Sequence, residues 1–197
     1  MLLYSGYLTL DASPLDDVPC ELKIPNIEVG RLYRNMVLEW FAETINEDNY
    51  RFLLTSLTTG DIETFSDLFQ EFILSSASAF DIPFEESEKI YHVFVLSMLV
   101  GLKDTYEVKS NRESGFGRYD VMLIPKNKNA LGIVMEFKKI RPNVKIDLEA
   151  AVTMALKQIE DKKYAQELLD AGVTNILYLG LAFEGKNVLI RSKPHGS

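Results

Sequence analysis

The chain has a single cysteine, Cys20, and only two histidines, His92 and His195. One cysteine excludes an internal disulfide and points to a reducing compartment. Together these residues are too few for a zinc site of the usual Cys/His kind. No run approaches the roughly 18 consecutive apolar residues of a membrane-spanning helix. The opening residues 1–7 lack the basic stretch of a secretory signal. A cytoplasmic protein with no membrane partner is the expectation. Positive charge is also scarce: 21 Lys and Arg against 29 Asp and Glu leave a formal net charge of −8. That balance disfavours a broad nucleic-acid surface unless basic residues gather locally. The chain contains no phosphate-binding Gly-Lys-Ser/Thr loop, no internal repeat and no low-complexity segment.

What is present is ordinary globular material. The 197 residues are 47% hydrophobic and 25% charged, enough for one large domain or a domain with a small appendage. Leu2–Leu10 and Glu21–Pro25 read as strands around a turn-rich segment, so residues 1–30 suggest a β-hairpin. A helix is expected from about Arg31 to Ile45. A second is marked by Phe65, Leu68, Phe69, Phe72 and Ile73 on one face, ending at Ser75–Ser78. Residues 31–80 thus read as a helical extension. Asp81 and Pro83 suit a helix start, and Tyr91, Phe94, Val95, Met98, Leu99 and Leu102 form the buried stripe of a helix running to about Lys103. Glu88 falls on that inward face; Glu85 and Glu86 are better placed for solvent. Tyr106–Lys109 is a strand. Asp147 is a plausible cap for a long helix ended by Gly172, Thr174–Phe183 an apolar central strand, and Val188–Ile190 an edge strand. From residue 81 to 192 the order is helix, three strands, helix, two strands. The expected fold class is α/β, a mixed central sheet flanked by helices, with residues 193–197 as a tail.

The organising stretch is Ser110–Pro125 with Leu131–Lys139. It reads as two antiparallel strands joined by a polar turn at Lys126–Asn129. Asp120 lies near the start of the first strand; Glu136 and Lys138 lie near the end of the second. Antiparallel pairing brings these ends together, and residues two apart on a strand share a face. An acid-x-Lys triplet alone says little, since six occur in this chain. Only the one at Glu136 closes a continuous apolar strand that follows a strand bearing an aspartate. Two carboxylates and an ammonium at one sheet edge suit a hard divalent cation, Mg²⁺ or Mn²⁺, and a phosphate. The corresponding chemistry is phosphodiester hydrolysis: Asp120 and Glu136 hold the cation, Glu88 supplies a further ligand, and Lys138 orients the nucleophile or stabilises the transition state. A plain core ion pair between Glu136 and Lys138, in an interaction module, is the bland alternative. Ser114-Gly115-Phe116-Gly117-Arg118 suits either a tight turn or close approach to a phosphate, with Arg112 or Arg118 pairing its oxygens. Lys138, Lys139, Arg141 and Lys145 form the one local basic cluster, or a solvated loop.

These residues carry a family resemblance. An acid on a helix, then Arg118-Tyr119-Asp120, then Glu136-Phe137-Lys138 resembles the PD-(D/E)XK nuclease superfamily. The segments Tyr91-His92, Ser110–Asp120, Val134–Lys138 and Ala155–Tyr164 resemble the nuclease-like domain at the C-terminus of bacterial proteins that begin with an AAA-type ATPase-like domain. Leu2–Leu10 with Ile24–Gly30 resembles the stretch after that ATPase-like part. The resemblance covers roughly Asp81–Arg191 and implies a restriction-endonuclease-like core. It matches Asp120, Glu136 and Glu88 to metal-binding acids, Lys138 to a catalytic lysine, and Gln158 and Tyr164 to a helix motif beside the active site. Ser114, Gly117, Arg112 and Arg118 would contact substrate. Tyr119 stands where the superfamily's name has proline. The implied function is a magnesium-dependent nuclease acting on nucleic acid, DNA by preference; the alternative is a catalytically weak nuclease-fold module with a binding or regulatory role beside an ATPase-like domain.

Overall fold

The computed structural model describes residues 8–10, 22–44, 46–80, 88–140 and 146–196. The chain divides into two compact units, Met1–Trp40 and Phe41–Ser197. In the first, β1 (Thr9–Leu10) pairs antiparallel with β2 (Leu22–Lys23), as expected of an N-terminal hairpin. Helix α1 (Ile27–Thr44) follows. It begins four residues before the expected Arg31, because Asn26 caps it: its Oδ1 accepts the Val29 N–H at 2.9 Å. Ile45 lies outside the described residues.

The second unit holds a helix that the sequence reading passed over, α2 (Glu47–Thr59). Tyr50, Leu53, Leu54 and Leu57 form its buried face, and Asn46 caps it by accepting the Asp48 N–H. Helix α3 (Ile62–Phe80) buries the anticipated Phe65, Phe69, Phe72 and Ile73. It continues through Ser75–Ser78, where an end was expected; the serines are tolerated once one apolar face is packed. The proposed start at Asp81 and Pro83 lies outside the described residues. Helix α4 (Glu88–Met98) buries the predicted stripe and tightens into a 3₁₀ turn over Leu99–Leu102.

A five-stranded sheet follows, with a small two-stranded appendix. In chain order the strands are β3 (Tyr106–Ser110), β4 (Glu113–Ser114), β5 (Gly117–Arg118), β6 (Val121–Pro125) and β7 (Gly132–Lys139). Helices α5 (Leu148–Asp161) and α6 (Gln166–Asp170) come next, then β8 (Ile176–Glu184) and β9 (Asn187–Pro194). The sheet order is β3-β6-β7-β8-β9; β7 and β8 are parallel and the other neighbours antiparallel. This is the mixed sheet flanked by helices that the element order implied.

Two details depart from expectation. The long helix ends at Asp161 rather than at Gly172; Lys163, with φ 53°, breaks it, and Gly172 instead follows α6. The break leaves Tyr164 between the two helices. The last strand is longer than Val188–Ile190 and runs to Pro194.

Alternation along β7 separates the two faces of the sheet. Phe137 meets Phe183 at 5.9 Å, and Phe183 stacks on Tyr91 of α4 at 4.2 Å. Glu136 and Lys138 take the opposite face, which α5 covers. Across the parallel register Glu136 stands beside Gly180 and Lys138 beside Ala182. Gly180 permits the close approach of α5: a Cβ there would lie 2.9 Å from the Val152 carbonyl and 3.1 Å from its side chain. Replacing Gly180 by alanine therefore pushes α5 off the sheet. We expect Gly180→Ala to lower stability by about 1–3 kcal/mol, seen in urea denaturation as a lower midpoint at unchanged slope.

Candidate active site

The β6–β7 register fixes where the acids meet. Val121 faces Met135, Met122 faces Val134 and Leu123 faces Ile133. One further step along this ladder sets Asp120 across from Glu136. The approach is tied by a hydrogen bond, Phe137 N–H donating to Asp120 Oδ2 at 2.7 Å. Asp120 sits just ahead of β6, where the chain leaves the loop and enters the core.

Glu136 is 4% exposed, a carboxylate among the buried positions of β7, which are otherwise apolar. Its Oε1 accepts from Lys138 Nζ at 2.7 Å. The same ammonium donates to Gln158 Oε1 at 2.8 Å. Gln158 then donates through Nε2 to the Tyr164 hydroxyl at 3.2 Å. Tyr164 is 2% exposed, and Gly117 lies against it; a Cβ at Gly117 would come 3.1 Å from the hydroxyl. One polar chain thus runs from the sheet through Lys138 to α5 and on to the loop before α6.

The electrostatics follow from burial. Burial pushes the Asp120 carboxyl above its ordinary value, while the Phe137 amide and the charges of His92 and Lys138 pull it back. The Tyr164 phenol is also raised, mainly by burial. A cation beside Asp120 would favour the ionised form that burial disfavours.

Sequence reasoning named ten residues, and the structure brings together five. Asp120, Glu136, Lys138, Gln158 and Tyr164 converge at one end of β7. Gly117 borders them through Tyr164. Arg112 and Arg118 are exposed on the neighbouring hairpin, and Ser114 is buried there, its hydroxyl donating to the Tyr164 carbonyl at 2.9 Å. Glu88 is the first residue of α4, but its side chain, like Glu85 and Glu86, lies outside the described residues, as do Arg141 and Lys145 of the basic cluster.

Two participants were given no site role from the sequence, although Tyr91-His92 is part of the resemblance. His92 packs edge-on against Phe137 at 5.6 Å and acts on Asp120 by its charge; Asn111 Nδ2 lies 3.4 Å from its ring nitrogens. Its signal was its place directly after Tyr91 of the buried stripe. Glu167 is the other. It accepts from Lys109 at 2.8 Å and from the Tyr119 hydroxyl at 2.9 Å, and its N–H donates to Ser114 Oγ at 3.3 Å. These bonds hold the start of α6, and so Tyr164, against the sheet.

A family model for the PD-(D/E)XK nuclease superfamily matches residues 86–193, more than half of the chain. The chain belongs to the PD-(D/E)XK nuclease superfamily. The matched span holds Asp120, Glu136, Lys138, Gln158 and Tyr164. No curated protein matches the chain. Among solved structures it is similar to one described as "Crystal structure of SSO0001", at 14% identity and a TM-score of 0.29, over 84% of this chain and 77% of that one.

Superfamily members are typically nucleases that use Mg²⁺ or Mn²⁺. Among the described residues no group of three or more His, Cys, Asp or Glu is placed to hold a metal. Two carboxylates remain, Asp120 and Glu136. This donor set fits a small hard cation, because Mg²⁺ keeps several waters and uses one or two carboxylates together with substrate phosphate.

Asp120 supplies a pH test. Its raised value means that the folded state favours the protonated form. That preference is fully present below the ordinary value of 3.8 and is lost as pH rises through the folded value. At neutral pH without metal, the ionised group is therefore a burden. Asp120→Asn should be the more stable protein in chelator at pH 7, by about 0.5–2 kcal/mol. The advantage should shrink as pH falls through the carboxylate range. Thermal melts of both proteins from pH 3 to 8 check this; a constant difference would refute the assignment of the effect to Asp120 ionisation.

Proposed function

We propose that this chain is a metal-dependent nuclease, hydrolysing phosphodiester bonds in nucleic acid, with DNA as the favoured substrate. The observation that carries the reading is Lys138 Nζ held between Glu136 and Gln158 on the face that Asp120 shares. Asp120 and Glu136 would hold Mg²⁺ or Mn²⁺, with Glu88 of α4 as a further ligand. The cation, when bound, lowers the pKa of a coordinated water and offsets charge gathering on the phosphate.

The chain's own groups do the rest. Lys138 has three N–H donors. Two are directed at Glu136 and Gln158, which aims the third at the open end of the sheet, where water or a phosphate oxygen binds. Gln158 and Tyr164 keep the ammonium from collapsing wholly onto Glu136. The Phe137 N–H orients Asp120 so that its other oxygen is available. Burial of Glu136 strengthens each of these charge interactions. Arg112 and Arg118, on the adjoining hairpin, supply phosphate contacts.

A second reading is favoured by the net charge of −8: a catalytically weak nuclease fold retained for binding or regulation beside an ATPase-like domain. In it, residues 1–30 are the end of the ATPase-like part, 31–80 the connecting extension, and 81–192 the nuclease-like domain of a cytoplasmic bacterial protein.

Cleavage of end-labelled single- and double-stranded DNA and RNA, with Mg²⁺ or Mn²⁺, separates the two. The nuclease reading predicts metal-dependent cleavage that falls about 10²–10³-fold in Lys138→Ala. Gln158→Ala should give a smaller loss, about tenfold, confined to kcat. Cleavage in chelator, or undiminished cleavage by Lys138→Ala, would contradict the assignment. A folded wild type that binds metal and cleaves nothing favours the regulatory module.

A further inference from the structure

The hairpin of β4 and β5 carries a feature that catalysis leaves unused. Its turn, Gly115-Phe116, presents Phe116 at 68% exposure. A lone exposed aromatic is ordinary on a protein surface. This one differs in its mounting. The Phe116 N–H donates to the Lys162 carbonyl at 2.7 Å, and Ser114 Oγ donates to the Tyr164 carbonyl at 2.9 Å. Gly115, at φ +59°, packs so tightly that a Cβ would lie 2.2 Å from the Lys162 carbonyl oxygen. The ring therefore stands on a turn clamped to the α5–α6 loop, with little freedom left to lose on binding.

Its surroundings are cationic. Lys163 Nζ lies 5.4 Å from the ring centroid. The Lys162 side chain runs along Gly117, and Arg112 and Arg118 are exposed on the same hairpin. Glu113 faces Arg118 across the two strands, and Asp161 sits beside Lys162; these carboxylates only partly offset four cations. The platform adjoins the candidate active site through contacts already described: Gly117 on Tyr164, Tyr164 to Gln158, Gln158 to Lys138.

We propose that Phe116 is a stacking platform for an unpaired base, with Lys162 and Lys163 taking the adjacent phosphates, so that the substrate enters as a single strand or a frayed end. This rests on the nuclease reading and adds its substrate class. An aromatic face accepts any base, and flanking ammonium groups follow the backbone; together they give binding that tolerates sequence and weakens with salt. A blunt, fully paired duplex offers no base to the ring along its length. DNA and RNA strands share the chemistry.

The test uses the full chain with Ca²⁺ in place of Mg²⁺, and oligonucleotides carrying 2-aminopurine: single-stranded DNA, single-stranded RNA and a blunt, fully paired DNA duplex. The wild type should bind either single strand with a change in 2-aminopurine fluorescence, and the blunt duplex at least about tenfold more weakly. Phe116→Ala should weaken single-strand binding about tenfold and abolish the fluorescence change. Phe116→Trp should retain both, and Phe116→Leu should lose the fluorescence change. The position is exposed, so all three variants should melt with the wild type. Lys162→Ala and Lys163→Ala should each reduce the salt dependence. Single-strand binding that Phe116→Ala leaves unchanged, or equal affinity for the blunt duplex, overturns the platform and leaves the nuclease reading standing. Failure to bind any nucleic acid overturns both. A preference for DNA over RNA, or the reverse, names the strand.

Discussion

The pairing register between β6 and β7 is the constraint on which the rest depends. Because side chains alternate across a strand, a slip of one residue would turn Glu136 and Lys138 to the α4 face and bring Phe137 under α5. Three things oppose that slip. Strand β6 is buried along its whole length. Phe137 is locked among aromatic rings with Phe183 and His92. The Asp120 carboxylate accepts the Phe137 N–H. The last of these joins fold and chemistry, since the bond that ends the apolar ladder also orients an acid of the proposed site.

The second constraint is the closeness of α5 to the sheet. Gly180 and Ala182 on β8 present almost no side chain to the helix, beside Glu136 and Lys138 in the neighbouring strand. The helix settles low enough for Gln158 to reach Lys138. The break at Lys163 then drops Tyr164 behind Gln158, and Glu167 pins the start of α6 through Lys109 and Tyr119. The spacing of six residues between Gln158 and Tyr164 looks long for one helix face. It works because the two residues are not on one helix.

Asp120, Glu136 and Lys138 were legible in the sequence because two local rules, strand alternation and the antiparallel crossing of ends, suffice to bring them together. The mixed sheet flanked by helices followed from the alternation of helical and strand periods, but the strand order β3-β6-β7-β8-β9 did not. Helix α2 was not legible: it lies between two stronger signals, and its apolar face begins with Tyr50 behind an acidic and polar start at Glu47–Asn49. The division of α5 from α6 was missed because the helical pattern continues from Asp147 to Gly172, and a non-glycine residue in the left-handed region leaves no mark in composition. His92 and Glu167 were hidden for another reason. Each acts on a residue remote in sequence, and the place of His92 beside the buried stripe does not by itself tell which group it meets.

On the proposed function, Asp120 and Glu136 together bind a hard divalent cation. Titration of the metal-free protein with Mn²⁺, followed by electron paramagnetic resonance, tests it without requiring turnover. The wild type should bind, with affinity weakened at least about tenfold in both Asp120→Asn and Glu136→Gln and retained in Lys138→Ala. No bound Mn²⁺, or binding indifferent to both carboxylate changes, would rule out a cation site there and leave Glu136–Lys138 as an internal ion pair.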